Sequence, residues 1–173
     1  VTFSEYENFL FEKFSTLKTF NKKILFDCAN GSLSKIAPNV LRKLNLNFSC
    51  YGTKPNGKNI NKNCGATFPK EISNRTVKEK AHIGISFDGD ADRVGAVDEN
   101  GKFYTLDFLV AIFARDFLSR NPGSKVVFDA KCSKVLENDI KENGGIPVRY
   151  KTGHSLIEQY MHQENIKFGG EMS

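Results

Sequence analysis

The sequence has no tryptophan and only two methionines, and none of its apolar runs is long enough to span a bilayer. It also lacks a dense basic run: the net charge is +5, but the lysines are scattered along the chain. Nucleic-acid binding usually needs a concentrated basic face with interleaved aromatic side chains. We therefore expect neither a membrane protein nor a nucleic-acid-binding protein, whereas a basic balance suits a small anionic substrate.

Cysteine is present but is not arranged for zinc binding or for a disulfide framework. The four cysteines are widely spaced, without a C-x-x-C pair and without histidine at zinc-ligand spacing. We expect reduced and mostly buried thiols in a cytoplasmic protein. The four residues are Cys28, Cys50, Cys64 and Cys132.

The hydrophobic pattern alternates between strands and helices, and the second half of the chain repeats the first. The segment "KILFDCANGS" at 23–32 matches "KVVFDAKCSK" at 125–134, and each is followed by a helix pattern and another strand pattern. A later pair, "GISFDGD" and "IKFGGE", lays Asp90 over Glu171. A repeated strand–helix–strand unit predicts two similar α/β domains, the alternative being chance similarity between short segments.

An acidic loop, "SFDGDADR" at 86–93, is the strongest functional signal. Asp88, Asp90 and Asp92 alternate along it, Arg93 closes it, and apolar strand patterns flank it on both sides. Two unit charges about 4 Å apart repel by roughly 4 kcal/mol at an effective dielectric constant near 20. The three carboxylates therefore need either full solvation, as in an exposed acidic turn, or a cation. Oxygen ligands at the carboxyl end of a strand favour a hard ion such as Mg²⁺ or Ca²⁺.

Two other loop types share part of this pattern. A calcium-binding EF-hand would need glycine where Arg93 stands and helices where the flanks predict strands, so it is excluded. A phosphatase loop of the haloacid-dehalogenase type would use Asp88 as nucleophile and Asp90 as acid/base. That family expects threonine or valine at the position of Asp92, so the loop fits it poorly.

Five short motifs together resemble the α-D-phosphohexomutase family, in particular the bacterial phosphomannomutase/phosphoglucomutases, in order and approximate spacing. They are "DGDADR" (88–93), "SRNPG" (119–123), "FDAKC" (128–132), "KTGHS" (151–155) and "GGEMS" (169–173). The resemblance covers nearly the whole chain. It implies two three-layer α/β/α domains with mixed sheets, residues 1–100 being domain II and residues 101–173 a truncated domain III of a four-domain enzyme. Because the chain starts at Val1 and stops at Ser173, directly after "FGGEM", we expect a central fragment.

The resemblance assigns a metal site to the acidic loop. It implies that Asp88, Asp90 and Asp92 coordinate Mg²⁺ and that a phosphate oxygen of a phosphoserine completes the site. Arg93 would lie beside the phosphoryl group as a catalytic residue and help to neutralise its charge.

The resemblance also assigns a sugar-phosphate site to the second half. Glu171 and Ser173 would bind sugar hydroxyls, and Lys131 and His154 would line the site as substrate-binding and candidate catalytic residues. Two alternatives stay open: His154 could simply begin a helix, and Lys131 could be a surface lysine in a turn. Neither residue is assigned a proton-transfer role by the sequence.

The implied reaction is reversible phosphoryl transfer between the 1- and 6-positions of mannose or glucose phosphates, through a phosphoserine and a hexose 1,6-bisphosphate. The serine loop of the family, Ser-His-Asn-Pro, and the phosphate-binding loop of the fourth domain are absent from this sequence. We therefore expect the chain to need domains I and IV as partners and to be inactive alone.

Residues 54–67, "KPNGKNINKNCGAT", here called the Asn-rich loop, look more like the corresponding loop of phosphoglucosamine mutases. That activity, or a non-catalytic Mg²⁺- or sugar-phosphate-binding module, is the alternative.

Overall fold

The computed structural model of the protein describes residues 2–16 and 21–172. The chain divides into two compact units, with the division between Phe103 and Tyr104. No helix among the described residues is both long and apolar enough to cross a membrane.

Unit 1 is built on a five-stranded sheet with the strand order β2-β1-β3-β4-β5. Strand β1 is parallel to β2 and β3, whereas β3 and β4 are antiparallel, so the sheet is mixed. The elements are α1 (Phe3–Lys13), β1 (Ile24–Asp27), α2 (Leu33–Lys43), β2 (Phe48–Tyr51), α3 (Pro69–Lys78), β3 (Ile83–Phe87), β4 (Val94–Asp98) and β5 (Phe103–Tyr104).

The sheet of unit 1 is covered on both faces. Successive side chains of a strand point to opposite faces, and in β1 Phe26 packs with Leu41 of α2 while Leu25 packs with Ile72 of α3. All four residues of β1 are therefore buried. A strand that is buried on both faces usually has a continuous apolar sequence. The letters "ILF" of β1 therefore indicate a buried strand.

Unit 2 is built on a three-stranded sheet with the order β7-β6-β8, in which both strand pairs are parallel. Phe128 of β6 packs with residues of α4 and α5, whereas Val127 packs with Ile157 of α6 on the opposite face. The elements are α4 (Leu106–Arg120), β6 (Lys125–Asp129), α5 (Lys134–Glu142), β7 (Ile146–Tyr150), α6 (His154–Gln163) and β8 (Phe168–Gly170).

The two units repeat one topology, which confirms the prediction of two similar α/β/α domains. The expected mixed sheet is found in unit 1, whereas the described three-stranded sheet of unit 2 is parallel. In each, the first strand lies between the second and the third, as the orders β2-β1-β3 and β7-β6-β8 show. The finer alignment of the repeat was wrong. Phe26 lies opposite Ile85 and Phe128 lies opposite Gly170, so Glu171, the next residue, is equivalent to Ser86 and not to Asp90.

Candidate functional site

The acidic loop joins β3 to β4 at the edge of unit 1 where the parallel strands end. Asp88, Asp90 and Asp92 each offer a carboxylate oxygen, and these oxygens all lie within 4.8 Å of one another. Asp88 is buried, whereas Asp90 and Asp92 are exposed. Ala91 between them has a φ of 66°, in the left-handed region, which lets the loop fold back on itself. The structure thus brings the three expected metal ligands together.

Arg93 is held against the buried carboxylate of this loop. Its backbone N–H donates to Asp88 Oδ1 at 3.1 Å and its Nε donates to Asp88 Oδ2 at 2.8 Å. Its Nη2 also lies 2.7 Å from Asp88 Oδ2, and its Nε lies 3.6 Å from Asp92 Oδ1. Burial raises the pKa of Asp88, but the hydrogen bonds from Arg93 outweigh it and bring the pKa below its ordinary value. Asp88 is therefore held in its charged form.

Asp92, at the exposed end of the loop, has a pKa that is shifted in the opposite direction from that of Asp88. Partial desolvation, together with the charges of Asp88 and Asp90, raises the pKa of Asp92. Three converging carboxylates face one guanidinium group, so the loop itself has two more acidic than basic side chains. An all-oxygen donor set with this charge fits a hard divalent cation.

A second cluster lies at the carboxyl end of β6 in unit 2. The fully buried carboxylate of Asp129 accepts hydrogen bonds from the thiol of Cys132 at 2.9 Å, the hydroxyl of Thr152 at 3.1 Å and the N–H of Met172 at 3.2 Å. Burial raises its pKa, but these donors more than offset the effect, so the pKa of Asp129 lies below its ordinary value. Asp129 thus ties together the three segments that lead to Lys131, His154 and Glu171.

Of the predicted substrate-binding residues of unit 2, two lie together in one cleft. His154 and Glu171 line a common cleft of about 220 Å³, and the N–H of Gly153 donates to Glu171 Oε2 at 3.1 Å. Lys131 is exposed in the loop after β6 and is not among the described residues that line the cleft. Ser173 lies outside the described residues. The other residues lining the cleft are Ile157, Glu158, Met161, Gly169 and Gly170.

The sequence left open whether His154 begins a helix or lines a binding site. In the structure it does both, because it is the first residue of α6 and also lines the cleft. The structure adds a pair of residues that sequence reasoning missed. Asp27 and Asp129 are buried at equivalent positions at the ends of β1 and β6. The repeat "FD" at 26–27 and 128–129 was a signal for them, since an aspartate that ends a buried strand needs partners.

Comparison with family models divides the chain in two. A model described as phosphoglucomutase/phosphomannomutase, alpha/beta/alpha domain II, matches residues 4–101. The model of the corresponding alpha/beta/alpha domain III matches residues 105–173.

Individual relatives extend this similarity. The phosphoglucosamine mutase of Lawsonia intracellularis is 37% identical over 161 residues, which cover 92% of this chain and 36% of that protein. The phosphomannomutase/phosphoglucomutase of Pseudomonas putida is 38% identical over 154 residues, 87% of this chain and 33% of that protein. A crystal structure of a phosphoglucomutase/phosphomannomutase family protein from Burkholderia thailandensis has a TM-score of 0.82 at 28% identity and covers 94% of this chain and 38% of its own. The chain spans about a third of the length of the curated relatives.

Proposed function

Because the chain belongs to the phosphoglucomutase/phosphomannomutase family, we propose that it supplies the metal-binding and sugar-recognition parts of a phosphohexomutase. The reaction is reversible phosphoryl transfer between the 1- and 6-positions of a hexose phosphate, through a phosphoserine outside this sequence and a hexose 1,6-bisphosphate. The single observation that carries the proposal is the convergence of Asp88, Asp90 and Asp92 beside Arg93.

In this proposal the three aspartates hold Mg²⁺. The bound ion would neutralise charge on a phosphoryl oxygen, which is the main demand of phosphoryl transfer besides positioning. Arg93 contributes the only guanidinium group described in the acidic loop. Its planar donor fork suits phosphate oxygens as well as the carboxylate that it now contacts.

The sugar would be held by unit 2. Glu171 and His154 share the cleft, and a carboxylate can accept hydrogen bonds from two neighbouring sugar hydroxyls. A substrate that is bound in two orientations must be recognised through hydroxyls common to both. Lys131, exposed at the next loop, would meet a phosphate group, and Ser173 would add a hydroxyl to the same site.

We propose mannose or glucose phosphate as the substrate, with glucosamine phosphate as the second candidate. The Asn-rich loop and the phosphoglucosamine mutase relative from Lawsonia intracellularis favour the second. Relative turnover of the three sugar phosphates by an enzyme that contains this chain decides between them. We also propose a cytoplasmic location, which the four free cysteines support.

The metal site is tested by titrating the chain with Mg²⁺ in a calorimeter. The double variant Asp90→Asn/Asp92→Asn keeps the buried pair of Asp88 and Arg93 intact, so it should fold. We expect its Mg²⁺ affinity to be lower by roughly tenfold or more, because two ligands and two charges are lost.

The matched control is Asp116→Asn/Glu137→Gln, which removes two negative charges from surface ion pairs of unit 2. Its Mg²⁺ affinity should equal that of the native chain. Equal loss in both double variants, or no Mg²⁺ binding by the native chain, would contradict the proposed metal site.

A further inference from the structure

We propose that two segments distant in sequence clamp Gly89 between them and thereby hold the acidic loop in its converged, ion-binding shape. The first is the turn after β1, residues 28–32, and the second is the Asn-rich loop. This inference rests on the proposed metal function of the acidic loop and gives the Asn-rich loop a role. Together the two segments are called the clamp.

The turn supports Gly89 from one side. The N–H of Ser32 donates to the carbonyl oxygen of Gly89 at 2.8 Å. A methyl group on Gly31 would lie only 2.2 Å from that oxygen and 2.7 Å from the carbonyl carbon. Since both neighbours are backbone atoms, only glycine at position 31 permits this approach.

The Asn-rich loop supports Gly89 from another direction. A methyl group on Gly89 would lie 2.6 Å from Cγ2 of Ile60 and 3.2 Å from Nδ2 of Asn61. The N–H of Ala66 also donates to the carbonyl oxygen of Phe87 at 2.9 Å, at the end of β3. The acidic loop is therefore contacted at its entry and at its first turn.

The two halves of the clamp are joined to each other. The N–H of Asn61 donates to the carbonyl oxygen of Ala29 at 2.9 Å. The buried carboxylate of Asp27 accepts from the N–H of Ala29 at 2.9 Å and from the N–H of Gly65 at 2.5 Å. The turn and the Asn-rich loop thus share one anchor below the acidic loop, so movement of one is coupled to movement of the other.

Backbone strain is found in the same three segments. Ala29 and Ala91 have φ values of 54° and 66°, in the left-handed region that alanine rarely adopts, and Asn30 and Asn61, at 53° and 57°, share this conformation, which asparagine tolerates better. Such conformations persist when surrounding contacts enforce them, and they concentrate at functional sites. The side-chain oxygen of Asn61 is in addition buried without a hydrogen-bond partner among the described residues. At Ala29 and Ala91, tertiary contacts therefore hold a backbone conformation that the local sequence disfavours.

The physical need for a clamp comes from repulsion. Three carboxylates within 4.8 Å of one another favour opening of the loop when no cation is bound. Contacts that hold the loop closed reduce the free energy needed to assemble the site when the ion arrives. Residues that orient metal ligands without touching the metal typically change the affinity by about 10- to 100-fold when they are altered.

The test is the Mg²⁺ affinity of Gly31→Ala in the 173-residue chain, measured by calorimetry. Gly31 has no left-handed φ, so alanine adds only the clash with Gly89. We expect the Mg²⁺ affinity to fall by about 10- to 100-fold.

The matched control is Gly84→Ala, whose methyl group would lie 2.3 Å from Oγ1 of Thr76 in α3. It disturbs unit 1 elsewhere and should leave the affinity of the folded chain within about twofold, well below the effect of an altered orienting residue.

A second variant covers the case in which Gly31→Ala does not fold. Ile60 is 51% exposed, so Ile60→Ala should fold, and we expect a several-fold weaker Mg²⁺ affinity with a shifted backbone amide resonance of Gly89. Its control is Ile112→Ala on α4, where the isoleucine is similarly exposed, at 54%. Native affinity in the folded clamp variants, or the same loss in the controls, would overturn the clamp alone. Absence of Mg²⁺ binding by the native chain would overturn the proposed metal site and the clamp with it.

Discussion

Two buried aspartates, Asp27 and Asp129, end the first strand of each unit and differ in how their charge is stabilised. Asp129 accepts from a thiol, a hydroxyl and a backbone N–H, and its pKa lies below the ordinary value. At Asp27 desolvation outweighs the backbone donors Gly65 and Ala29, so the pKa of its carboxyl is raised. The same residue at the same place in the fold therefore has opposite effects on the pH dependence of stability.

The replacements Asp129→Asn and Asp27→Asn test this difference. A carboxyl whose folded pKa is lowered stabilises the fold above its unfolded pKa of about 3.9, and this stabilisation is lost as the pH falls through the folded pKa. A carboxyl whose folded pKa is raised stabilises the fold most below about 3.9, and this is lost as the pH rises through the folded pKa. We therefore expect the advantage of the native chain over Asp129→Asn to shrink on acidification, and its advantage over Asp27→Asn to grow.

Urea denaturation between about pH 3 and pH 7, the range around an ordinary carboxyl pKa, measures both differences. At neutral pH, Asp129→Asn should lower the free energy of unfolding by about 2 to 3 kcal/mol, the scale of hydrogen bonds to a charged group. Asp116→Asn, on the surface of α4, is the control and should change it by less than about 0.5 kcal/mol. Parallel pH profiles for the two buried positions would contradict the assignment.

At the scale of elements, strands and helices were the most predictable part of the molecule. The apolar segment "LDFLVAIFARDFL" at 106–118 is typical of a buried helix, and α4 runs from Leu106 to Arg120. The two strands around the acidic loop could also be predicted from their apolar sequences. In the structure, β3 and β4 alternate between buried and half-buried residues. From these elements and the charge pattern, the convergence of the three aspartates could be predicted.

The support beneath the acidic loop could not be predicted in the same way. The letters "CANGS" indicate a turn, but nothing in them shows that Gly31 meets Gly89, because that contact depends on how β1 and β3 pair across the sheet. The error that laid Asp90 over Glu171 has a similar cause. Matching letters compares positions along the chain, whereas the register of neighbouring strands decides which positions are equivalent.

The acidic loop as an element carries strain that one substitution should relieve. Ala91 has a φ of 66°, and the left-handed conformation costs a non-glycine residue roughly 1 to 2 kcal/mol. Glycine adopts it freely but loses more chain entropy on folding, so Ala91→Gly should raise the free energy of unfolding by up to about 1 kcal/mol. Urea denaturation measures the change.

The control for Ala91→Gly is Ala96→Gly in β4. Ala96 has ordinary strand geometry, so glycine there should lower the free energy of unfolding by about 0.5 to 1 kcal/mol. If both substitutions destabilise equally, the left-handed backbone of Ala91 is not strained. Mg²⁺ affinity should be retained in Ala91→Gly, since the three carboxylates and their supports remain.

At the scale of the whole molecule, one topology carries two different candidate sites on its loops. Between β2 and α3, unit 1 has residues 52–68, which include the Asn-rich loop beside the acidic loop. At the equivalent place between β7 and α6, unit 2 has only residues 151–153, and His154 begins the helix directly. The repeated sheets provide rigid edges, and the loops that follow the strands determine the chemistry at each edge.

The different roles proposed for these loops lead to a prediction for the chain as a whole. In the proposed function the described residues supply metal ligands, a guanidinium group and a cleft for the sugar, but the sequence lacks the Ser-His-Asn-Pro motif expected to carry the transferred phosphoryl group. The chain also spans only about a third of its curated relatives. We therefore expect no interconversion of glucose 1-phosphate and glucose 6-phosphate by these residues alone, even with Mg²⁺ and glucose 1,6-bisphosphate present.

A coupled assay for glucose 6-phosphate checks this expectation, with a full-length family member as positive control. Metal binding and turnover should be separable, because the three proposed metal ligands all lie in unit 1, whereas the proposed phosphoryl donor is a serine outside this sequence. The same preparation should therefore bind Mg²⁺ in a titration and show only background in the assay. Turnover near that of the full-length enzyme would mean that a residue within these 173 accepts and returns the phosphoryl group, and the proposed dependence on a serine outside the sequence would be wrong.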